Sequence, residues 1–139
     1  MQKIESLTLL AARVLLALIF LAAGANKISQ YGATVSYMQS MGVSGALLPA
    51  VIALELAGGL AILLGVFTRQ AATGLAVFCI VAGTLFHGNF ADPIQAAMFM
   101  KNLAIAGGFL ALIAAGAGSF SVDSRSRRHA YRARRYPGS

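Results

Sequence analysis

The stretch LLPAVIALELAGGLAILLGVF, residues 47–67, contains a single charged residue, Glu55. A helix needs about 20 mostly apolar residues to cross a hydrocarbon layer roughly 30 Å thick. This segment therefore predicts a transmembrane span with a carboxylate inside it. Three further segments read the same way. Residues 7–25 are apolar apart from Arg13, residues 71–87 carry no charge before His87, and residues 96–117 hold Lys101 and Asn102 near their start. None alternates with the period of two expected of barrel strands. The expected fold is an all-α membrane protein with four transmembrane helices in an antiparallel bundle. The expected bundle domain covers residues 1–123, with a basic tail at 124–139.

Composition agrees with that class. Of 139 residues, 58% are hydrophobic and only 11% charged. Soluble domains carry about a quarter charged residues, so this chain lacks the polar surface of a water-soluble globule. It is equally too apolar for a disordered chain. The net charge of +7 would suggest nucleic acid were it not so unevenly placed. Six of the eleven lysines and arginines lie in the tail, SRSRRHAYRARRYPGS. No folded recognition element accompanies them, so no nucleic-acid partner is expected. The tail is expected to be disordered and held to anionic lipid. One cysteine, Cys79, excludes an intramolecular disulfide, a CxxC redox pair and a cysteine-built zinc site, and no metal site is expected.

The first span also has features of a leader peptide: Lys3, an apolar run, then Ala23-Gly24-Ala25 as a cleavage site. Glu5 and Arg13 argue instead for a retained helix. Lys3, Arg69 and the tail arginines fall on one side of a four-span chain, and Lys27 and Lys101 sit at span ends on the other. The positive-inside rule then puts both termini in the cytoplasm. Residues 28–46 and 88–95 face outward on this reading. Tyr31, Tyr37, Phe86, Phe90 and Phe99 would form an aromatic belt at the outer interface. Residues 31–41 are too sparsely apolar to span and read as a short interfacial segment over the bundle's outer mouth.

Lipid supplies no hydrophobic force between helices, so small residues that permit close approach carry the packing. Ala53, Ala57, Ala61 and Gly65 recur at steps of four, as do Ala104 and Gly108. With Gly24, Gly58 and Gly59 these are the expected packing positions, within one bundle or across a homodimer face.

Charges within the layer are costly and normally face the bundle interior or water. Arg13, Ala17, Phe20, Gly24 and Lys27 follow steps of 4, 3, 4 and 3, placing both cations on one stripe of the first helix. Glu55 shares a stripe with Gly58, Gly59 and Ile62. A rise of ~1.5 Å per residue puts Arg13 at ~9 Å depth, Glu55 at ~18 Å, His87 and Lys101 at ~24 Å and Lys27 at ~30 Å. Either Lys101 or Arg13 is thus an expected partner of Glu55, or both together, one from each side. The outer half collects Lys27, Glu55, His87, Lys101 and Asn102 into a polar pocket beneath the aromatic rim.

Two readings of this cluster stand. One is a buried ion pair that sets helix register, with Lys27 and Lys101 snorkelling to the interface. The other is a binding or proton-handling site for a small anion, a quinone headgroup or a thiol-related substrate. His87 alone reads as an interfacial, solvated histidine. Cys79 aligns with Gly83 and His87 at steps of four but reads as a small core residue. Met38, Met41, Met98 and Met100 read as gap fillers rather than copper ligands.

Several short motifs recur in order along the chain: Gly24-x-x-Lys27, Glu55-x-x-Gly58-Gly59, Leu64-Gly65, Thr68-Arg69, His87, Lys101-Asn102 and Gly116-x-Gly118-x-x-Ser121-x-Asp123. With these the chain resembles the DoxX family of small four-helix bacterial inner-membrane proteins, over nearly all of residues 5–123. The resemblance implies a four-span protein of the cytoplasmic membrane. It also implies a link to quinol oxidase or thiosulfate:quinone oxidoreductase complexes, or to membrane complexes for thiol and oxidative stress. The chain has no paired histidines at haem spacing, no second cysteine and no nucleotide-binding glycine loop. Electron-carrying groups would come from a bound quinone or a membrane redox partner, and the chain is not expected to be an enzyme on its own. The expected function is therefore an accessory or quinone-proximal component. The alternatives are an oligomeric small-solute transporter or exporter, and a structural or assembly factor.

Overall fold

The computed structural model describes residues 2–126. Among the described residues the long helices are, in chain order, α1 (Gln2–Ser29), α2 (Tyr31–Ser40), α3 (Leu48–Leu64), α4 (Thr68–Phe86) and α5 (Pro93–Ala115), with a 3-10 turn at Gly45–Leu47 before α3 and helical residues again at 122–126. There is no strand among the described residues. Four helical stretches, Lys3–Ser29, Gly45–Leu64, Thr68–Phe86 and Pro93–Ala115, are long and apolar enough to cross a bilayer. The expectations of disorder and lipid attachment for the tail fall largely on residues 127–139, outside the described residues.

The helices begin and end where local chemistry lets them. α1 runs past both edges of its apolar core because Glu5 lies in its first turn and Lys27 in its last, each favourable to the helix dipole. α5 starts with Pro93 in its first turn, and the Asp92 carboxylate accepts from Ile94 N–H at 2.8 Å. Residues 31–41, expected as an interfacial segment, are mostly the ten-residue helix α2. Met38 on α2 is buried, and the Tyr37 ring stacks on Phe86 at 5.7 Å between centroids.

α1 packs on α3, α3 on α4, and α4 on α5, with a lighter contact closing α5 onto α1. The Arg13–Ala17–Phe20–Gly24 stripe is the buried face of α1. Phe20 sits between Phe109 of α5 and Phe78 of α4, at 5.5 and 6.5 Å. Large apolar side chains such as Leu15, Ile94 and Leu110 point outward. Such an exterior suits lipid as the surrounding solvent, because the backbone bonds are made within the helices.

Glycines set the interhelical spacing. A Cβ on Gly24 would lie 2.7 Å from Leu56 Cδ2, one on Gly59 3.2 Å from Leu21, and one on Gly108 3.3 Å from Leu16. A Cβ on Gly58 would meet Leu75 of α4 at 3.1 Å. Ala57, expected among the packing positions, is exposed on the single chain, as is Ala53 one turn earlier, so neither packs within the bundle. Four-residue spacing drifts around a helix of 3.6 residues per turn, so that row leaves the packed face before it reaches them.

One end of the bundle is locked by Arg13, which is 1% exposed. Its Nε donates to Ile62 O at 2.9 Å and Nη2 to Leu63 O at 2.7 Å, both at the end of α3. Its Nη1 donates to Ala117 O at 2.7 Å and Phe120 O at 2.8 Å, beyond α5. α3 stops at Gly65, whose φ of +69° is left-handed, and Val66 N–H returns to Ala61 O. The guanidinium thus satisfies carbonyls that a helix end leaves open. The Asp123 carboxylate accepts from Phe67 N–H, Thr68 N–H and the Thr68 hydroxyl, capping α4 from a distant part of the chain. That cap accounts for α4 beginning at Thr68, ahead of the apolar run at 71.

Gly65→Ala is expected to destabilise the fold by about 2–3 kcal/mol through left-handed strain and overpacking. The new Cβ would lie 2.5 Å from Ser121 Cβ and 3.0 Å from Arg13 Cζ. Gly107, with nothing within 4 Å of its Cβ position, is the control. Thermal unfolding in detergent should show a clear loss for Gly65→Ala and none for Gly107→Ala. Equal midpoints for the two would show that the lock tolerates the intrusion.

Candidate functional site

At the other end of the bundle a cavity of about 280 Å³ lies among α1, α2, α3, α4 and α5. Lys27, Glu55, His87, Lys101 and Asn102 line it, among Phe20, Tyr37, Phe78 and Phe86. Arg13 does not, being committed to carbonyls in the lock.

Glu55 is paired with Lys27, not with Lys101 or Arg13 as the depth estimate suggested. Lys27 Nζ lies 2.8 Å from Glu55 Oε1, with the lysine side chain 25% exposed and the glutamate 3%. The estimate assumed helices flush at one membrane edge. Gly24 overrides that assumption, because its missing side chain lets α1 settle with residue 24 against Leu56 and Glu55 Cβ. Lys27 then lies only three residues, roughly 4.5 Å, further along α1, well within its reach. Glu55 Oε2, also buried, has no hydrogen-bond donor among the described residues.

Lys101 is exposed, and its Nζ lies 3.1 Å from Met98 Sδ. It makes no salt bridge among the described residues and lines the cavity together with the Lys27–Glu55 pair. Asn102 donates to Met98 O at 3.0 Å, and its Cβ would sit 3.1 Å from a Cβ on Gly83. Gly83 thus allows α4 and α5 to close around the polar group. His87 ends α4, its N–H returning to Gly83 O, and its Nδ1 lies 2.7 Å from Gln95 Oε1. In the neutral ring, an Nδ1–H that donates to this oxygen leaves the lone pair on Nε2.

Several cavity residues were absent from the polar cluster expected from sequence. Cys79 lines the same wall, and its four-residue steps to Gly83 and His87 were the visible signal. Thr34, Tyr37 and Met38 enter because α2 is a helix laid beside the opening. Gln95, which touches His87 from outside the cavity lining, left no signal, since that contact exists only once the loop after α4 has folded. Among the described residues no group of three His, Cys, Asp or Glu could hold a metal ion. The arrangement offers a mostly apolar, aromatic-walled chamber lined by one buried carboxylate and two lysines.

Residues 8–88 match the family model described as DoxX. That match runs from within α1 through α4 and stops before α5, which supplies Lys101 and Asn102. The chain is 49% identical over 123 residues to "Inner membrane protein YqjF" of Escherichia coli strain K12, spanning 88% of this chain and 95% of that protein. It is 36% identical over 124 residues to "Inner membrane protein YphA" of the same organism, spanning 84% of this chain and 89% of that protein. No solved structure matches.

Proposed function

The chain belongs to the DoxX family, and from that premise we propose a multi-pass inner-membrane protein whose Glu55 cavity holds a quinone headgroup. It serves as an accessory, quinone-proximal component of a membrane redox or thiol-stress complex, with a partner supplying the other electron carriers. One observation carries this reading: a buried carboxylate, paired to Lys27, lines a small chamber walled by Phe20, Phe78, Tyr37 and Phe86. Ligand sites commonly combine apolar walls with a few convergent polar groups. Ionisable groups inside a membrane domain tend to mark function.

The names of both relatives support the inner membrane as its location. An antiparallel bundle is supported by the order of contacts between α1 and α3. Arg13 meets residues 62 and 63, while Gly24, later in α1, meets residues 55 and 56, earlier in α3. Cytoplasmic termini follow from the positive-inside rule applied to Lys3, Arg69 and the tail arginines. The bundle is one domain over residues 1–123, followed by a tail that binds anionic lipid.

The test is native mass spectrometry of protein purified in mild detergent, with quinone measured in an organic extract. Wild-type protein should carry quinone, and Glu55→Gln should lose it while keeping its helical circular dichroism. Protein free of quinone in both forms, isolated with its annular lipid intact, would overturn the proposal and leave the cluster a structural one.

A further inference from the structure

We infer that the cavity selects the reduced, hydroxyl-bearing form of a one-ring aromatic, which donates a hydrogen bond to Glu55 Oε2. This rests on the reading of the cavity as a ring-headgroup site and adds which chemical state it holds.

Glu55 Oε1 is engaged by Lys27 Nζ at 2.8 Å, while Oε2 is buried and lacks a donor among the described residues. Buried polar atoms are nearly always hydrogen-bonded, and an unmet one is costly. An ionised carboxylate only accepts, so whatever meets Oε2 must donate. A quinone carbonyl also only accepts and would set two acceptor oxygens against each other. A hydroquinone or phenol O–H meets the need directly.

The remaining polar groups agree. His87 lines the cavity with Nδ1 2.7 Å from Gln95 Oε1, and in the neutral ring that donates to this oxygen the other nitrogen is an acceptor. Lys101 is a donor lining the same cavity. A hydroxyl can serve an acceptor or a donor, whereas a carbonyl can serve only donors such as Lys101 and Asn102. Size sets the ring count. The cavity, about 280 Å³, is at the small end of ligand pockets, which span about 300–1,000 Å³, and suits one ring rather than several. Aromatic side chains, including the stacked Tyr37–Phe86 pair, supply faces for that ring.

Preference for the reduced form has a thermodynamic consequence. Tighter binding of the hydroquinone raises the two-electron potential of the bound couple, by about 30 mV for each tenfold difference in affinity. The protein would hold its ligand against oxidation.

The experiment is anaerobic equilibrium dialysis of the whole protein in detergent, against micelles alone, with three probes. They are tetramethylhydroquinone, tetramethylbenzoquinone and the dimethyl ether of the hydroquinone. Their full ring substitution blocks conjugate addition to Cys79. The hydroquinone should bind at least about tenfold more tightly than the other two, the scale of one hydrogen bond to a charged acceptor. In Glu55→Gln, whose amide brings a donor to the site, that preference should shrink or invert. The wild-type comparison of hydroquinone with its ether decides the question even if Glu55→Gln fails to fold. Equal binding of all three, or tighter binding of the quinone, overturns this inference and leaves the ring-headgroup site standing. Binding of none overturns both.

Discussion

Arg13→Met should lower stability by on the order of 3–5 kcal/mol, the scale seen when one side of a buried, charged hydrogen-bond network is removed. Methionine keeps much of the volume but strips donors from four carbonyls, those of Ile62, Leu63, Ala117 and Phe120. The bonds to Ile62 O and Ala117 O are buried and those to Leu63 O and Phe120 O partly buried, so water can replace the lost donors only in part. Arg13→Lys should recover only part of the loss, because an ammonium is a point donor while the guanidinium forks toward two separate chain segments. The effect should appear as a fall in the detergent melting midpoint on the order of 10 °C. The ranking arginine, lysine, methionine is itself diagnostic. A methionine variant as stable as wild type would mean that the carbonyls find other partners and that the lock is unimportant.

Lys27→Met should cost a similar amount, about 3–5 kcal/mol, by leaving the Glu55 charge buried without its cation. The reverse change is milder. In Glu55→Gln the abandoned ammonium belongs to a side chain that is 25% exposed and can turn toward water, whereas Glu55, at 3%, cannot. Lys27→Met with Glu55→Gln should stand closer to wild type than Lys27→Met alone, since a neutral pair carries no desolvation cost for charge. A double-mutant cycle on unfolding free energies isolates the pairing, with coupling expected in the upper part of the range of about 0.5–3 kcal/mol for contacting groups. Additive single effects would show that the two charges, though in contact, do not depend on each other.

The two variants touch opposite ends of the bundle, and the difference between those ends bears on function. The Arg13 end is saturated: its guanidinium, the Asp123 cap and the Gly65 turn all meet named partners. The Lys27 end is not, since Glu55 Oε2 is buried without a donor and Lys101 has no salt bridge among the described residues. Unmet polar groups beside a cavity are where binding is worth testing. Met variants at the saturated end should therefore report on folding, and those at the open end on ligand as well.

The one-dimensional pattern carried the four spans, the buried stripe through Arg13, Phe20 and Gly24, and the grouping of Lys27, Glu55, His87, Lys101 and Asn102. Those features depend on apolar length and helical periodicity, which are summed along single helices and need no knowledge of neighbours. Tertiary structure alone decided that Lys27 holds Glu55, that Arg13 serves the carbonyls of α3 and the segment after α5, and that Ala57 faces outward. Pairing depends on the register between helices, which Gly24 sets through one close approach to Leu56. The partners of Arg13 are backbone carbonyls, a group that every residue possesses and that therefore leaves no mark in the order of side chains.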